Sequence, residues 1–135
     1  MPIVVDTSVI IAVLLNESTK QRIVEVTKGN ELIAPDSLKW EIGNAFSAMF
    51  KRKKISLEQA IAGLKIFKQI PMRYPETDFS KALKISHENN IYAYDAYFLS
   101  LAQKQKCPFI TLDRSLQKLA IKMGIKIIEV NDDNI

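Results

Sequence analysis

Four carboxylates carry the chemistry that this 135-residue sequence can offer: Asp6, Glu41, Asp95 and Asp113. Asp6 interrupts the apolar opening "PIVVDTSVIIAVLLNE", where a bare charge is costly unless a partner, a cap or a cation compensates it. Asp113 directly follows the apolar run "PFITL", and Asp95 lies in "YDAYFLSLA" as helical sequence begins. Taken singly, each aspartate is explained as an N-cap, because each precedes helical sequence and aspartate is among the best capping residues. Glu41 borders an apolar helical stripe, three residues after Leu38 and four before Ala45, with Asn44 three further on. It is either a solvated edge residue, which the spacing slightly favours, or an acid aimed at something buried. Jointly the four ask for more. Like charges gathered at one rim raise each other's pKa and cannot all ionise unaided. A divalent cation resolves the conflict, and oxygen-only donors suit Mg²⁺ or Mn²⁺. Acid-held ions of this kind hydrolyse phosphodiesters by lowering the pKa of a water and stabilising the leaving oxygen. That chemistry requires no nucleophilic side chain, and no Ser–His or Cys–His arrangement stands out. His87 is the only histidine, at a surface position near a helix end, and Cys107 the only cysteine, so a zinc cluster has no donors.

The elements that must position these acids alternate between short apolar strands and helices. Ile3–Val5 is a β-rich run ending at Asp6, and helical spacing follows from about Ser8. A second helical piece, Thr19–Lys28, stops at Gly29, and Glu31–Ala34 is a second strand closed by Pro35. The stripe Leu38, Ile42, Ala45, Phe46 and Met49 has helical period and runs to the basic block "KRKK", Lys51–Lys54. Ser56 and Gln59 form a capping box for a helix reaching about Gln69, before an extended piece at Ile70–Tyr74. Asp78 caps a helix ending near Asn89 and Asn90, and Tyr94–Lys106 is helical. Pro108–Leu112 is a strand, Arg114–Met123 a helix stopped by Gly124, and Ile125–Val130 a last strand. Short continuous apolar strands alternating with helices predict an α/β fold: one domain over residues 1–135, with a central parallel sheet flanked by helices. Ligands of such sheets collect at the carboxyl ends of the strands, where Asp6 and Asp113 stand.

The composition is that expected of a soluble globular domain, with 47% apolar and 25% charged residues. The longest apolar run, Val9–Leu15, is far shorter than the ~20 residues of a membrane span, and no basic segment precedes it as in a signal peptide. One cysteine excludes an internal disulfide, so a reducing, cytoplasmic setting is expected. The net charge of +4 is modest. "KRKK" reads first as a solvated helix end and second as a block able to hold phosphates.

Taken in order, "VVDTSVIIAVLLNE", "APDSLKWEIGNAF", "IYAYDAYFLSLAQKQKCPFITLDRSLQKLA" and "MGIKIIEV" resemble the PIN-domain ribonucleases, and most of all the small toxins of VapBC-type toxin–antitoxin pairs. The likeness runs from Val4 to Val130, with Ile55–Ser86 generic helical sequence. It implies a metal-dependent endoribonuclease in which Asp6, Glu41, Asp95 and Asp113 bind Mg²⁺ or Mn²⁺ and cut RNA. Asp6 and Asp95 would be the principal ligands. It also implies supporting roles for the polar pair Thr7 and Ser8, for Asn44 and for Thr111, and a homodimer silenced by an antitoxin protein in the active groove. Arg114 would hold RNA backbone or be merely exposed. Ser56–Gln69 and the aromatics Trp40, Phe46 and Phe50 are the apolar surfaces on offer to a partner, although aromatics at helical spacing are usually core.

Two other classes fit worse. A receiver-like signalling domain needs an adjacent acidic pair after its first strand, and Asp6 stands alone. A dinucleotide-binding fold needs a glycine-rich loop, which Gly29, Gly43, Gly63 and Gly124 cannot form. A PIN-like module that binds RNA or protein without cutting remains the alternative to the enzyme.

Overall fold

The computed structural model describes residues 1–131. Its centre is β1 (Pro2–Val5), whose Val4 and Val5 are fully buried, as expected of a parallel strand covered on both faces. β1 pairs in parallel with β2 (Glu31–Ile33) on one side and with β3 (Phe109–Ile110) on the other, giving the order β2-β1-β3. Ile3 lies opposite Leu32, and Val4 opposite Phe109. Single parallel bridges widen the sheet at both edges, Ile33 to Arg73 and Phe109 to Ile127.

Among the described residues seven helices surround this sheet: α1 (Thr7–Leu14), α2 (Lys20–Thr27), α3 (Leu38–Lys51), α4 (Leu57–Gln69), α5 (Phe79–Asn89), α6 (Ala93–Gln105) and α7 (Arg114–Lys122). The architecture is α/β with a central parallel sheet, as the alternating pattern predicts. α6 packs on β1 and against α5, while α1 packs against α2, α3 and α4. α6 buries Phe98 to Ala102 without a break, so its helical stripe is lost in a nearly continuous apolar run. α4 approaches α1 and α3 at Gly63, where a Cβ would sit 3.3 Å from the Phe46 ring and 3.5 Å from Leu14 Cβ. Ser56 and Gln59 form the capping box expected at the start of α4, and Asp78 caps α5 through Lys81 N. No helix among the described residues is long and apolar enough to cross a membrane.

Three sequence readings need correction. The strand expected over Pro108–Leu112 is two residues long. Pro108 has no N–H to give and enters the ladder only by accepting from Val4 N at 2.9 Å. The strand expected over Ile125–Val130 reduces to the Ile127 bridge, held by Phe109 N to Lys126 O and Ile128 N to Phe109 O. Beyond it, side chains take over from the ladder: Asn131 Nδ2 donates to Leu112 O at 2.9 Å. Finally, Phe46 is buried and packs inward, so it offers no surface to a partner, whereas Trp40 is 72% exposed.

Candidate active site

The acids sit where chain segments leave the sheet or enter a helix. Asp6 immediately follows β1 and caps α1, its Oδ1 accepting from Val9 N at 3.2 Å and from Ser8 Oγ at 2.6 Å. Ser8 Oγ in turn accepts from Leu112 N at 3.0 Å, tying the ends of β1 and β3 together. Asp113 caps α7, its Oδ1 accepting from Ser115 N, Ser115 Oγ and Leu116 N. For these two aspartates the cap and the rim position coexist: helix N-termini fix carboxylates at the strand ends. Asp95 is different. It lies in the first turn of α6, whose N-cap is Tyr92, so it caps nothing, and among the described residues its carboxylate accepts no hydrogen bond. Glu41, in the first turn of α3, points inward to other polar groups rather than along a solvated edge. Its Oε1 accepts from Thr7 Oγ1 at 3.2 Å and its Oε2 from Ser37 Oγ at 3.0 Å.

Burial and mutual charge shift these groups. The carboxyl of Asp6 is pushed up to about 6, chiefly because burial strips its solvent; bonds from Ser8, Thr111 and Val9 N oppose the shift and the Asp95 charge adds to it. Glu41 rises to about 7, again first from burial, with Ser37 and Thr7 opposing and the charges of Asp6 and Asp95 adding. Asp95 is raised by burial and then by the charge of Asp113. Asp6, Glu41 and Asp95 thus lie within one another's electrostatic reach, and Asp95 within that of Asp113. None of the ion pairs among the described residues takes up any of the four acids.

The supporting residues divide. Thr111 is fully buried, with its hydroxyl accepting from Asp113 N at 3.1 Å and near enough to Asp6 to favour its ionised form. It therefore stands between the first acid and the fourth. Thr7 holds Glu41, whereas Asn44 is exposed and lines a cleft with Thr7, Trp40, Glu41, Ala45 and Tyr94. Asp95 and Asp113 line a neighbouring cleft with Asn90, Ser115 and Lys122. Arg114 faces Glu129, its Nη1 at 3.7 Å from Oε2. Sequence reasoning missed Ser37, although a serine four residues before a helical glutamate is a local signal for such a bond. It also missed Gln117, which is buried and donates to Thr111 O at 2.6 Å; nothing in the spacing marks it.

Among the described residues no three Asp, Glu, His or Cys side chains are gathered closely enough to cage a metal as they stand. The acids are spread along a rim. Their chemistry nevertheless fits a hard divalent cation: all donors are oxygen, and burial raises two of the carboxyls to about 6 and about 7, a cost that a bound positive charge would offset.

Solved structures share this fold over nearly the whole chain. A protein from Pyrobaculum aerophilum is 16% identical with a TM-score of 0.63, covering 92% of this chain and 98% of its own. VapBC2 from Rickettsia felis, bound to a DNA fragment from its promoter, is 13% identical with a TM-score of 0.69, covering 97% and 100%. VapC20 from Mycobacterium tuberculosis, a sarcin–ricin loop cleaving toxin, is 15% identical with a TM-score of 0.59, covering 87% and 94%. No curated protein matches the chain in sequence. The sequence matches the PIN domain over residues 3–133, and the chain belongs to the PIN domain family.

Proposed function

We propose that this PIN domain is a Mg²⁺- or Mn²⁺-dependent endoribonuclease and the toxin of a toxin–antitoxin pair. One observation supports the nuclease reading: four carboxylates from separate elements lie along one rim, burial and neighbouring negative charge raise the pKa of Asp6, Glu41 and Asp95, and none of the four is in an ion pair among the described residues. Asp6 and Asp95 are the principal ligands, with Glu41 and Asp113 completing the site directly or through water. When bound, the cation supplies positive charge against the phosphodiester and acidifies the attacking water. The chain's own residues orient the donors. Ser8 and the Val9 N–H fix the Asp6 carboxylate, while Thr7 and Ser37 fix that of Glu41.

The toxin reading rests on likeness in fold to VapBC2 and VapC20, the latter named for cutting the sarcin–ricin loop. By that analogy the substrate is RNA, the protein is a cytoplasmic homodimer, and an antitoxin closes the groove. The exposed Leu57, Ile61 and Ile66 of α4 provide apolar surface for such a partner. A module that binds RNA without cutting is the second reading, favoured by the spread of the acids along the rim rather than in a closed cage.

The deciding experiment is cleavage of a labelled structured RNA in Mn²⁺, in EDTA, and by Asp95→Asn protein purified identically. Cutting that requires the ion and vanishes in the variant supports the enzyme. Equal cutting by wild type and variant removes the site assignment, and binding without cutting selects the second reading.

A further inference from the structure

Beside the acid rim lies a cleft of different character. Trp40 and Tyr94 form its aromatic lining, while Thr7, Glu41 and Asn44 supply polar groups. The two residues are 72% and 55% exposed, so both rings are open to a ligand. Tyr94 is held edge-on against Tyr97 at 5.9 Å, and Tyr97 against Phe79 at 5.5 Å, so that wall is braced. Glu41 belongs at once to this cleft and to the rim, which makes the two contiguous.

We infer that this cleft binds an unpaired nucleobase of the RNA beside the scissile phosphodiester, stacked on Trp40 and Tyr94, with the Asn44 amide facing its polar edge. The inference rests on the RNA-cleavage reading and adds a base subsite to it. Three further observations favour a nucleic acid over a protein. The exposed aliphatic side chains that suit a protein partner, Val24, Leu57, Ile61, Ile66, Leu83 and Ile121, belong to α2, α4, α5 and α7, and none lines this cleft. Trp40, Asn44, Ser47 and Lys51 are all exposed and recur at helical spacing along α3, a polar track of about 16 Å from ring to basic block. Gly43 lies one turn after Trp40 in the same helix and is exposed, with nothing within 4 Å of where a Cβ would stand. A mid-helix glycine costs about 1 kcal/mol against alanine, and no internal neighbour requires one here. The bare backbone leaves room for a flat group to lie against the helix. Stacking on aromatic side chains tolerates any base, and it requires a single strand or a splayed loop.

Trp40 is the only tryptophan, so its fluorescence reports on the cleft alone. Asp95→Asn protein in Mn²⁺ keeps the RNA intact while a short, unstructured, mixed-sequence oligoribonucleotide is titrated in. Saturable quenching is expected, at least ten-fold weaker with a duplex of the same sequence and about ten-fold weaker after adding Tyr94→Ala. Gly43→Ala is the sharpest variant: it should raise the melting temperature yet weaken RNA binding several-fold. In the active protein, Trp40→Ala should lower kcat/KM about ten- to hundred-fold, in line with the loss of one stacked base, and Trp40→Phe should recover most of it. Unchanged fluorescence overturns the subsite, as does quenching by the duplex equal to that by the single strand. Full cleavage by Trp40→Ala overturns it while leaving the nuclease reading intact, and directs the cleft to a protein partner. Quenching by single strands without any cleavage by wild type keeps the subsite and removes the nuclease reading.

Discussion

Asp6 caps a helix, and in the proposed enzyme the same side chain also holds the cation. It caps α1 through Val9 N, and it is 7% exposed beside Asp95, where ionisation is opposed by burial and by charge. Its raised pKa has a definite sign. Between the unfolded value of 3.8 and the folded value of about 6, the folded protein holds a proton that the unfolded chain has lost. Stability from this group is therefore complete below pH ~4 and lost as pH rises through 6. Glu41, rising from 4.5 to about 7, extends the same loss upward. The metal-free protein should accordingly melt at lower temperature at pH 8 than at pH 5, and saturating Mn²⁺ should reverse that trend; differential scanning calorimetry checks both. Asp6→Asn should abolish cleavage while stabilising the metal-free protein at pH 8 by about 1–3 kcal/mol, since a neutral amide removes the buried charge. Thr111→Val, nearly isosteric, removes the buried hydroxyl that accepts from Asp113 N and favours the ionised form of Asp6. It should cost about 1–3 kcal/mol in chemical denaturation and reduce cleavage with an unchanged fold.

At the scale of elements, what the sequence disclosed depended on whether local signals agreed with packing. α4 and α5 begin where capping residues announce them, and the order of strands and helices follows from apolar runs and punctuation. α6 did not yield so easily. Tyr92 caps it without a side-chain bond, and the helix is anchored instead by burial of Ala96 and of Phe98 to Ala102. That is why Asp95 reads as a cap in the sequence and proves to be a first-turn residue with its carboxylate uncommitted. The last strand fails for the opposite reason: "IKIIEV" has strand composition, but only Ile127 meets a partner. Bonds such as Thr7 to Glu41 and Leu112 N to Ser8 depend on side-chain direction and long-range contact, whereas Ser37 to Glu41 is local. At the α4 contact, Gly63→Val should wedge the helix from Phe46 and Leu14 and cost roughly 1–3 kcal/mol as overpacking does, read from the denaturation midpoint.

Over the whole molecule, the surface sorts itself into an acid rim, an aromatic cleft beside it, and a basic block at the far end of α3. Phosphate-binding lysines act through counterion release, so their contribution is read as salt dependence. Changing Lys51 and Lys54 together to Glu should weaken RNA binding at low salt and lower the slope of log affinity against log salt by about two, without altering the melting temperature by more than a few degrees. Cation binding at the rim is the claim on which the enzyme reading depends. Calorimetric titration of Mn²⁺ into wild-type and Asp6→Asn protein at pH 6.5, repeated in buffers of different ionisation enthalpy, tests it most directly. Saturable binding that releases protons, because Asp6 and Glu41 must ionise to hold the ion, and that is lost in the variant, is the predicted result. Equal binding by both proteins, or none by either, would contradict it.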